Sequence, residues 1–305
     1  MVNIVGKRLL FFVISGILVL VSVVALGIFR LQPGIDFASG SITTLHFEQA
    51  VTQADLEREL TLLGYTNEVE TNPHGDFVIR TIRLTTAQKA DIKKGLVEKF
   101  GSVTEKGHED IDPVIASETA RVAVIAVVVA AVGILLYITW AFRRMPSPLH
   151  YGACGIIALV HDVLVVLGTF SILGAMLGWE VNLMFITGTL AVIGYSINNT
   201  VVVFDRIREN LKRGVSADFE VVVNNSLTET LSRSLNTSLT TLVVVVALIL
   251  FVGTSINNFS VTLLVGILAG TYSSLFIAPL LLVVWEKGGW GRSSRETPPV
   301  RTQSG

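Results

Sequence analysis

The chain has 305 residues, of which 51% are hydrophobic and only 15% are charged. Its mean hydropathy of +0.64 is far higher than that of a soluble domain of this length, so the composition places the chain in a membrane. The formal net charge of −1 provides no basic surplus for binding nucleic acid. The single cysteine, Cys154, can form neither an internal disulfide nor a thiolate metal site by itself.

Six stretches reach the roughly 20 apolar residues that a helix needs to cross a bilayer core about 30 Å thick. They are Leu9–Phe29, Val122–Phe142, Tyr151–Leu173, Val181–Phe204, Leu235–Val252 and Phe259–Trp285. The basic pair Lys7 and Arg8 precedes the first stretch, as in a signal peptide. Its apolar run is too long for a signal peptide, however, and no small-residue cleavage site follows. We therefore interpret it as a retained transmembrane helix.

The positions of lysine and arginine predict the orientation, because these residues accumulate in short cytoplasmic loops. If the N-terminus is cytoplasmic, every basic cluster near a span end falls on the same side: Lys7 and Arg8, Arg143 and Arg144, Arg206 to Arg213, and Lys287 to Arg295. The loops left outside, Gly174–Glu180 and Gly253–Asn258, contain no lysine or arginine. The pattern predicts a multi-pass protein with both termini in the cytoplasm.

Charged residues return between the first two spans, where we expect a water-soluble domain. Its predicted elements are strands at Ser41–Glu48, Asn67–Thr71, Asp76–Leu84 and Val103–Ile111 and helices at Thr52–Leu63 and Thr85–Phe100. This β-α-β-β-α-β order is the ferredoxin-like arrangement. The predicted fold is a membrane bundle of six transmembrane helices with an α+β ferredoxin-like extracytoplasmic domain. The expected boundaries are a first helix in 1–30, this domain in 31–117, a five-helix region in 118–286 and a disordered cytoplasmic tail in 287–305.

Ionisable side chains at membrane depth cost about 2.5–3.5 kcal/mol on insertion scales, so each is a candidate functional residue. Asp162 lies near the middle of the third span, beside His161. Neighbours on a helix are about 100° apart, and we expect these two to face different partners. Two roles stay open for them: hydrogen bonds that brace the bundle, or ion coupling.

The fourth and fifth spans carry further polar residues. Ser196, Asn198 and Asn199 form a polar patch in the fourth span, which must face protein or water because lipid offers no hydrogen-bond partners. Arg233 precedes the predicted fifth span, and Thr237 follows it on the same helical face. The patch could be structural, and Arg233 could reach the membrane interface, but the polar surroundings of Arg233 favour a wet cavity.

Several long motifs follow one another in order along the chain. They are Pro33–Phe37, Leu159–Val163, Ile193–Asn198, Phe204–Asn210, Asn225–Leu227 and Leu231–Ser234, and they include Gly34, Asp36, Asp205 and Arg206. In sequence and in order they resemble the signature motifs of the SecF family, a branch of the SecD/SecF proteins that is similar to the RND superfamily. One departure is Ala38-Ser39-Gly40, where the family tends to have a glycine pair. We expect it to change only the entry into the first strand.

The resemblance implies a non-enzymatic subunit that acts beside SecD in the bacterial cytoplasmic (inner) membrane, in contact with its lipids. It implies association with the SecYEG channel, with YidC and YajC as further candidate partners. Such a subunit would use proton flow to help draw a preprotein outward after ATP-driven insertion by SecA. Protons would be the coupling ion, and no cofactor or metal is expected.

The resemblance also exposes a departure at the proposed proton carrier. The polar patch of the fourth span usually reads Asn-Asp-Thr in this family, with an arginine and a threonine that match Arg233 and Thr237 nearby. The aspartate is the expected carrier, but this chain has Asn199 there, and an amide cannot bind and release a proton. Three explanations stay open: coupling rests on an acid of SecD, Asp162 substitutes, or the asparagine is an engineered replacement that locks one state.

Other functions compete with this one. Half of an RND-like exporter for a small molecule or lipid would carry a larger extracytoplasmic domain, so the single small domain argues against it. An intramembrane enzyme would need a metal motif such as H-E-x-x-H, a pair of catalytic aspartates or a serine with a base, and the sequence contains none of these. A structural scaffold of the translocon, without proton coupling, stays open because a scaffold could tolerate Asn199.

Overall fold

The computed structural model describes residues 3–65, 67–71, 75–81, 84–145, 147–251 and 256–286. The predicted tail 287–305 lies outside these ranges, as do Ile82 of the predicted third strand and Val252 of the predicted fifth span. The chain forms two compact units. The membrane bundle takes its described residues from Met1–Gln32, Val127–Trp179 and Met184–Gly305, and the α+β domain takes them from Pro33–Ala126 and Glu180–Leu183.

The elements alternate between long apolar helices and a short α+β region. In chain order they are α1 (Arg8–Phe29), α2 (Ile35–Ala38), β1 (Gly40–Phe47), α3 (Gln53–Leu62), β2 (Asn67–Thr71), β3 (Phe77–Thr81), α4 (Thr86–Phe100), β4 (Val103–Ile111), α5 (Pro113–Ala141), α6 (Pro148–Leu177), α7 (Leu183–Arg213), α8 (Phe219–Phe251), α9 (Asn257–Phe276) and α10 (Ala278–Glu286). Six helical segments of the described chain are long and apolar enough to cross a membrane, which confirms the predicted number of spans.

Three helices extend well beyond the spans that hydropathy predicts. Helix α8 begins at Phe219, whereas the predicted fifth span begins at Leu235. Helix α7 continues to Arg213, past the predicted end at Phe204, and α5 begins at Pro113, before the predicted start at Val122. Hydropathy detects only the apolar part of a helix, whereas the backbone hydrogen bonds continue through its polar segments. The last span is divided into α9 and α10 next to Pro279, because proline has no N–H to donate to the carbonyl one turn earlier.

The α+β domain has the ferredoxin-like arrangement that the sequence predicts. Its sheet has the order β2-β3-β1-β4 with every neighbouring pair antiparallel. Leu45 and Phe47 of β1 pack in one apolar core with Leu56 and Leu60 of α3 and Leu96 of α4. The helices therefore close this core over the sheet.

A polar cluster joins α4 to the sheet of this domain. Lys89 of α4 contacts both Asp110 and His108 of β4, and the hydroxyl of Ser41 donates to the same aspartate. Burial raises the pKa of the Asp110 carboxyl, but the hydrogen bonds from Lys89, Ser41 and His108 outweigh this effect and hold the pKa well below its ordinary value of 3.8. The cluster therefore stabilises the domain when Asp110 is ionised, and this stabilisation is lost as the pH falls through the lowered pKa.

The entry into β1 explains why a glycine pair suits this position. Ser39 has a φ of +62° and Gly40 a φ of +138°. A Cβ on Gly40 would lie 2.7 Å from the carbonyl oxygen of Thr81, so only glycine fits there. Ser39 has a left-handed backbone as well, which is strained for a residue with a Cβ.

We predict that Ser39→Gly stabilises the α+β domain by about 1 kcal/mol, since glycine adopts a positive φ without steric cost. The measurement is hydrogen exchange of the β1 peptide in the detergent-solubilised protein at constant pH, where exchange should become several-fold slower. Gly40→Ala should have the opposite effect because of its contact with Thr81. Unchanged or faster exchange in Ser39→Gly would contradict this explanation.

Candidate functional site

A carboxylate at the centre of the membrane bundle joins three helices. Asp162 of α6 is 1% exposed, and its Oδ2 accepts hydrogen bonds from the hydroxyls of Ser196 on α7 at 2.6 Å and Ser273 on α9 at 2.7 Å. Its other oxygen, Oδ1, lies 3.1 Å from His161 Nδ1. Both carboxylate oxygens therefore have partners within the chain, which is how a buried acid becomes tolerable away from water.

The expectation that His161 and Asp162 face different partners is wrong. Their Cβ atoms point in different directions from the helix, but rotation about the side-chain bonds brings the imidazole Nδ1 to the neighbouring carboxylate. His161 is 5% exposed, and its Nε2 is buried without a hydrogen-bond partner in the described part of the chain. The pair has a hydrogen bond along which a proton can be shared and a free ring nitrogen on its far side.

Close packing of α9 against α7 makes this centre possible. A Cβ on Gly266 would lie 2.1 Å from Val192 Cγ2, and one on Gly270 would lie 2.9 Å from the Cβ of Ser196. Small residues at both positions therefore let the backbones approach until Ser273 reaches Asp162. Sequence reasoning missed Ser273, although it follows Gly266 and Gly270 at i+7 and i+3 on the same face of α9.

Asn199 lies on the buried side of α7 near the same level. It is 3% exposed, and its Nδ2 is buried without a hydrogen-bond partner among the described residues. Ser196 and Thr200 are also buried, and the Thr200 hydroxyl donates to the Ser196 carbonyl at 3.1 Å. Asn198, by contrast, is exposed. The structure therefore separates the two asparagines, and it leaves the Asn199 amide with an unused donor.

Arg233 and Thr237 do not lie with Asp162 in the bundle. Arg233 lies within the continuous helix α8 and not before its beginning. Both residues are exposed, and the Thr237 hydroxyl donates to the Arg233 carbonyl at 2.9 Å. The opposite face of α8 enters the bundle, where Ser238 accepts from Tyr195 at 2.8 Å. Helix α8 therefore carries polar groups on a buried face and also on an exposed one.

An ionic network joins the C-terminal end of α7, in the Phe204–Asn210 motif, to α8. Arg206 donates to Glu229 of α8 at 2.5 Å and to Glu209 at 2.6 Å, and the Asn210 amide donates to the same Glu229 at 2.9 Å. Asp205 is exposed and lies 3.6 Å from Arg208 on its own helix. Arg206 therefore has a structural role here, since it fixes one helix against another.

Gly34 and Asp36 lie in the α+β domain and contact the segment that begins α7. The Gly34 N–H donates to the Val181 carbonyl at 2.8 Å, and Asp36 Oδ2 accepts from the Leu183 N–H at 2.9 Å. The described residues contain no group of three or more histidine, cysteine, aspartate or glutamate side chains that could hold a metal ion. The predicted motif residues are thus distributed over the centre of the bundle, the α7–α8 end and the domain.

Comparison with known proteins assigns this arrangement to a family. Residues 91–288 match the family model for the C-terminal region of the protein export membrane protein SecD/SecF, and residues 24–51 match the SecD/SecF GG motif. Over 98% of both chains, the sequence is 39% identical to the protein translocase subunit SecF of Thermobaculum terrenum. The chain belongs to the SecF family.

Two further relatives contain a SecF-like region within a longer chain. The protein translocase subunit SecDF of Bacillus subtilis is 35% identical over 92% of this chain, which covers 38% of the relative. The crystal structure of SecDF from Thermus thermophilus, described as a translocon-associated membrane protein, superposes with a TM-score of 0.81 at 32% identity. That match covers 93% of this chain and 38% of the SecDF chain.

Because the buried centre around Asp162 depends on small residues, we predict that Gly266→Ala destabilises the bundle by about 1–3 kcal/mol. The added methyl group would overlap Val192 and push α9 away from α7. Gly194→Ala is the matched control, since a Cβ there has no atom within 4 Å. Thermal unfolding in detergent should show a lower midpoint for Gly266→Ala and an unchanged or higher midpoint for the control. Equal midpoints would refute the close-packing explanation.

Proposed function

We propose that this chain is a non-enzymatic accessory subunit of the Sec preprotein translocase that acts with SecD to promote protein export. Its relatives over nearly the whole length are named as SecF translocase subunits, and its fold matches SecDF. In this proposal the protein lies in the bacterial cytoplasmic membrane with both termini in the cytoplasm, as its basic loops predict. It acts on a preprotein in SecYEG after SecA has inserted it.

The exposed polar face of α8 supports SecD as the direct partner. Arg233, Asn236, Thr237 and Thr240 are exposed on a helix that is long and apolar enough to cross the membrane. Polar side chains at membrane depth need protein or water, because lipid cannot hydrogen-bond to them. SecDF relatives join a SecF-like region to further sequence in one chain, which supports a SecD-like surface as the cover for this face.

The buried centre supports coupling to protons through Asp162. The Asn199 amide cannot titrate, whereas Asp162 is a carboxyl group enclosed by α6, α7 and α9 and hydrogen-bonded to His161. Gain or loss of one proton at Asp162 changes which hydroxyls can donate to it, and so changes the forces between the three helices. This enclosed carboxyl group is the single observation that carries the proposal, in which Asp162 takes the place of the family's usual acid.

A structural scaffold without proton coupling is the second candidate function. Asn199 favours it, because an uncharged residue at this buried position removes the expected carrier of the family. In a scaffold Asp162 would only brace the helices, and its charge state would stay constant. The two functions therefore differ in what happens when Asp162 is replaced by an amide of similar size.

We predict that Asp162→Asn abolishes the part of export that depends on the proton motive force, since the amide keeps two hydrogen-bonding atoms but cannot titrate. The measurement uses proteoliposomes that contain the chain with SecD, SecYEG and SecA, with and without an imposed proton gradient. A model preprotein is followed by protease protection. Asn199→Asp should preserve or increase the gradient-dependent part, because it restores an acid at the family position.

The matched control is Asp91→Asn, which removes an exposed carboxylate from α4 of the α+β domain. It should export like the wild type in both conditions. Equal stimulation of Asp162→Asn and wild type by the gradient would overturn coupling through Asp162. A wild-type chain that shows no gradient-dependent part at all would favour the scaffold.

A further inference from the structure

The α+β domain contains a short loop that belongs to the start of a transmembrane helix. Residues Glu180–Leu183 form one compact unit with Pro33–Ala126, although Leu183 is the first residue of α7. The same helix continues for 31 residues and carries Ser196 and Asn199. The domain therefore holds the beginning of the helix whose later residues build the polar centre.

Three sets of contacts hold this loop on the domain. Pro33 forms an isolated parallel bridge with Val181, and the Gly34 N–H donates to the Val181 carbonyl at 2.8 Å. Arg80 of β3 forms an ion pair with Glu180, and both side chains are largely buried, at 20% and 19% exposed. These contacts come from the start of the domain and from the middle of its sheet, so the loop is attached at more than one place.

Asp36 makes the contact that reaches the helix itself. Its Oδ2 accepts from the N–H of Leu183 at 2.9 Å, across 147 positions of sequence. The first N–H groups of a helix have no partner within the helix, and a carboxylate there is favoured by hydrogen bonding and by the helix dipole. Because Asp36 is distant in sequence, this hydrogen bond links the domain to the helix.

Gly34 favours the same attachment. A Cβ on Gly34 would lie 3.1 Å from the Cβ of Asn182 and 3.2 Å from the carbonyl oxygen of Val181. Both distances are shorter than ordinary van der Waals contact, so a side chain would fit only if the loop moved slightly. The Gly34 and Asp36 positions therefore serve one structural purpose, which is to keep Val181 and Leu183 on the domain.

We propose that Asp36 is a positioning residue that couples the α+β domain to α7 by keeping the first turn of this helix attached to the domain throughout transport. The proposal rests on the proposed function, in which the polar centre responds to protons. An α-helix rises 1.5 Å per residue, so Ser196 lies about 20 Å along α7 from Leu183. If α7 moves where its Ser196 meets Asp162, the stiff helix passes this movement to the loop that the domain holds.

The first test compares two substitutions of Asp36 in the proteoliposome assay with SecD, SecYEG and SecA. Asp36→Ala removes the acceptor and should reduce the gradient-dependent part of export at least fivefold, while gradient-independent export and co-purification with SecD stay at wild-type levels. Asp36→Asn keeps an oxygen acceptor and should retain this part within twofold, since asparagine also caps helices. Full stimulation of Asp36→Ala, or equal loss in both variants, would overturn the proposal.

The second test locks the attachment and does not depend on the stability of Asp36→Ala. Pro33→Cys with Val181→Cys places two thiols at the partners of the isolated bridge, in a Cys154→Ala background that removes the native thiol. Oxidation should leave gradient-dependent export within twofold of the reduced protein and should restore it when Asp36→Ala is added. If oxidation abolishes this export and a reductant restores it, the loop must detach during transport and the proposal fails.

These outcomes are distinguishable from failure of the proposed function. If Asp162→Asn abolishes gradient-dependent export but Asp36→Ala does not, only the coupling through Asp36 is overturned. If the wild-type chain exports without any response to the gradient, the proposed function itself fails. Asp91→Ala is the matched control for loss of a carboxylate from the same domain, because Asp91 is exposed on α4 and lies away from the α7 loop in sequence and element.

Discussion

The bundle depends on the cost of placing a carboxylate where there is no water. Each polar group at membrane depth must find its partner within protein, and Asp162 finds its partners on its own helix and on two others. Two hydroxyls can reach one carboxylate oxygen only if α7 and α9 come close together, and this requires glycine at 266 and 270. The packing of the small residues and the burial of the acid are therefore one constraint rather than two.

The buried polar groups of the bundle differ in whether they have hydrogen-bond partners. Both oxygens of Asp162 have partners, but the Asn199 Nδ2, the Ser234 hydroxyl and the His161 Nε2 are buried without one among the described residues. An unsatisfied buried donor costs about 1–3 kcal/mol. Such groups therefore mark places that water or a proton can reach, or where a helix can rearrange. Hydrogen bonds that only brace the helices would explain the serine hydroxyls on Asp162. They would not explain the buried atoms that have no hydrogen-bond partner.

Sequence patterns predicted what depends on local chemistry and missed what depends on neighbouring helices. The six spans and the β-α-β-β-α-β order follow from hydropathy and periodicity. The beginning of α8 at Phe219 was missed because the polar segment from Asn224 to Ser234 separates it from the apolar part of the helix. Tertiary contacts, such as the bonds from the Ile4 and Val5 N–H groups to Asn224, hold this segment. The contact between His161 and Asp162 depends on side-chain rotation, which periodicity does not describe.

Arg233 shows why one chain carries only part of the site. The family resemblance groups Arg233 and Thr237 with the residue at 199, yet this chain buries Asn199 and exposes the other two on α8. Arg233 lies on a helix that is long and apolar enough to cross the membrane, and lipid offers a cation no partner, so in the proposed complex a surface of SecD or water would cover it. Proton coupling would then need two surfaces: the buried acid at Asp162 inside this subunit, and the exposed face of α8 against its partner. A substitution at Asp162 acts on the first and one at Arg233 on the second, which is why their effects on helix packing should be independent.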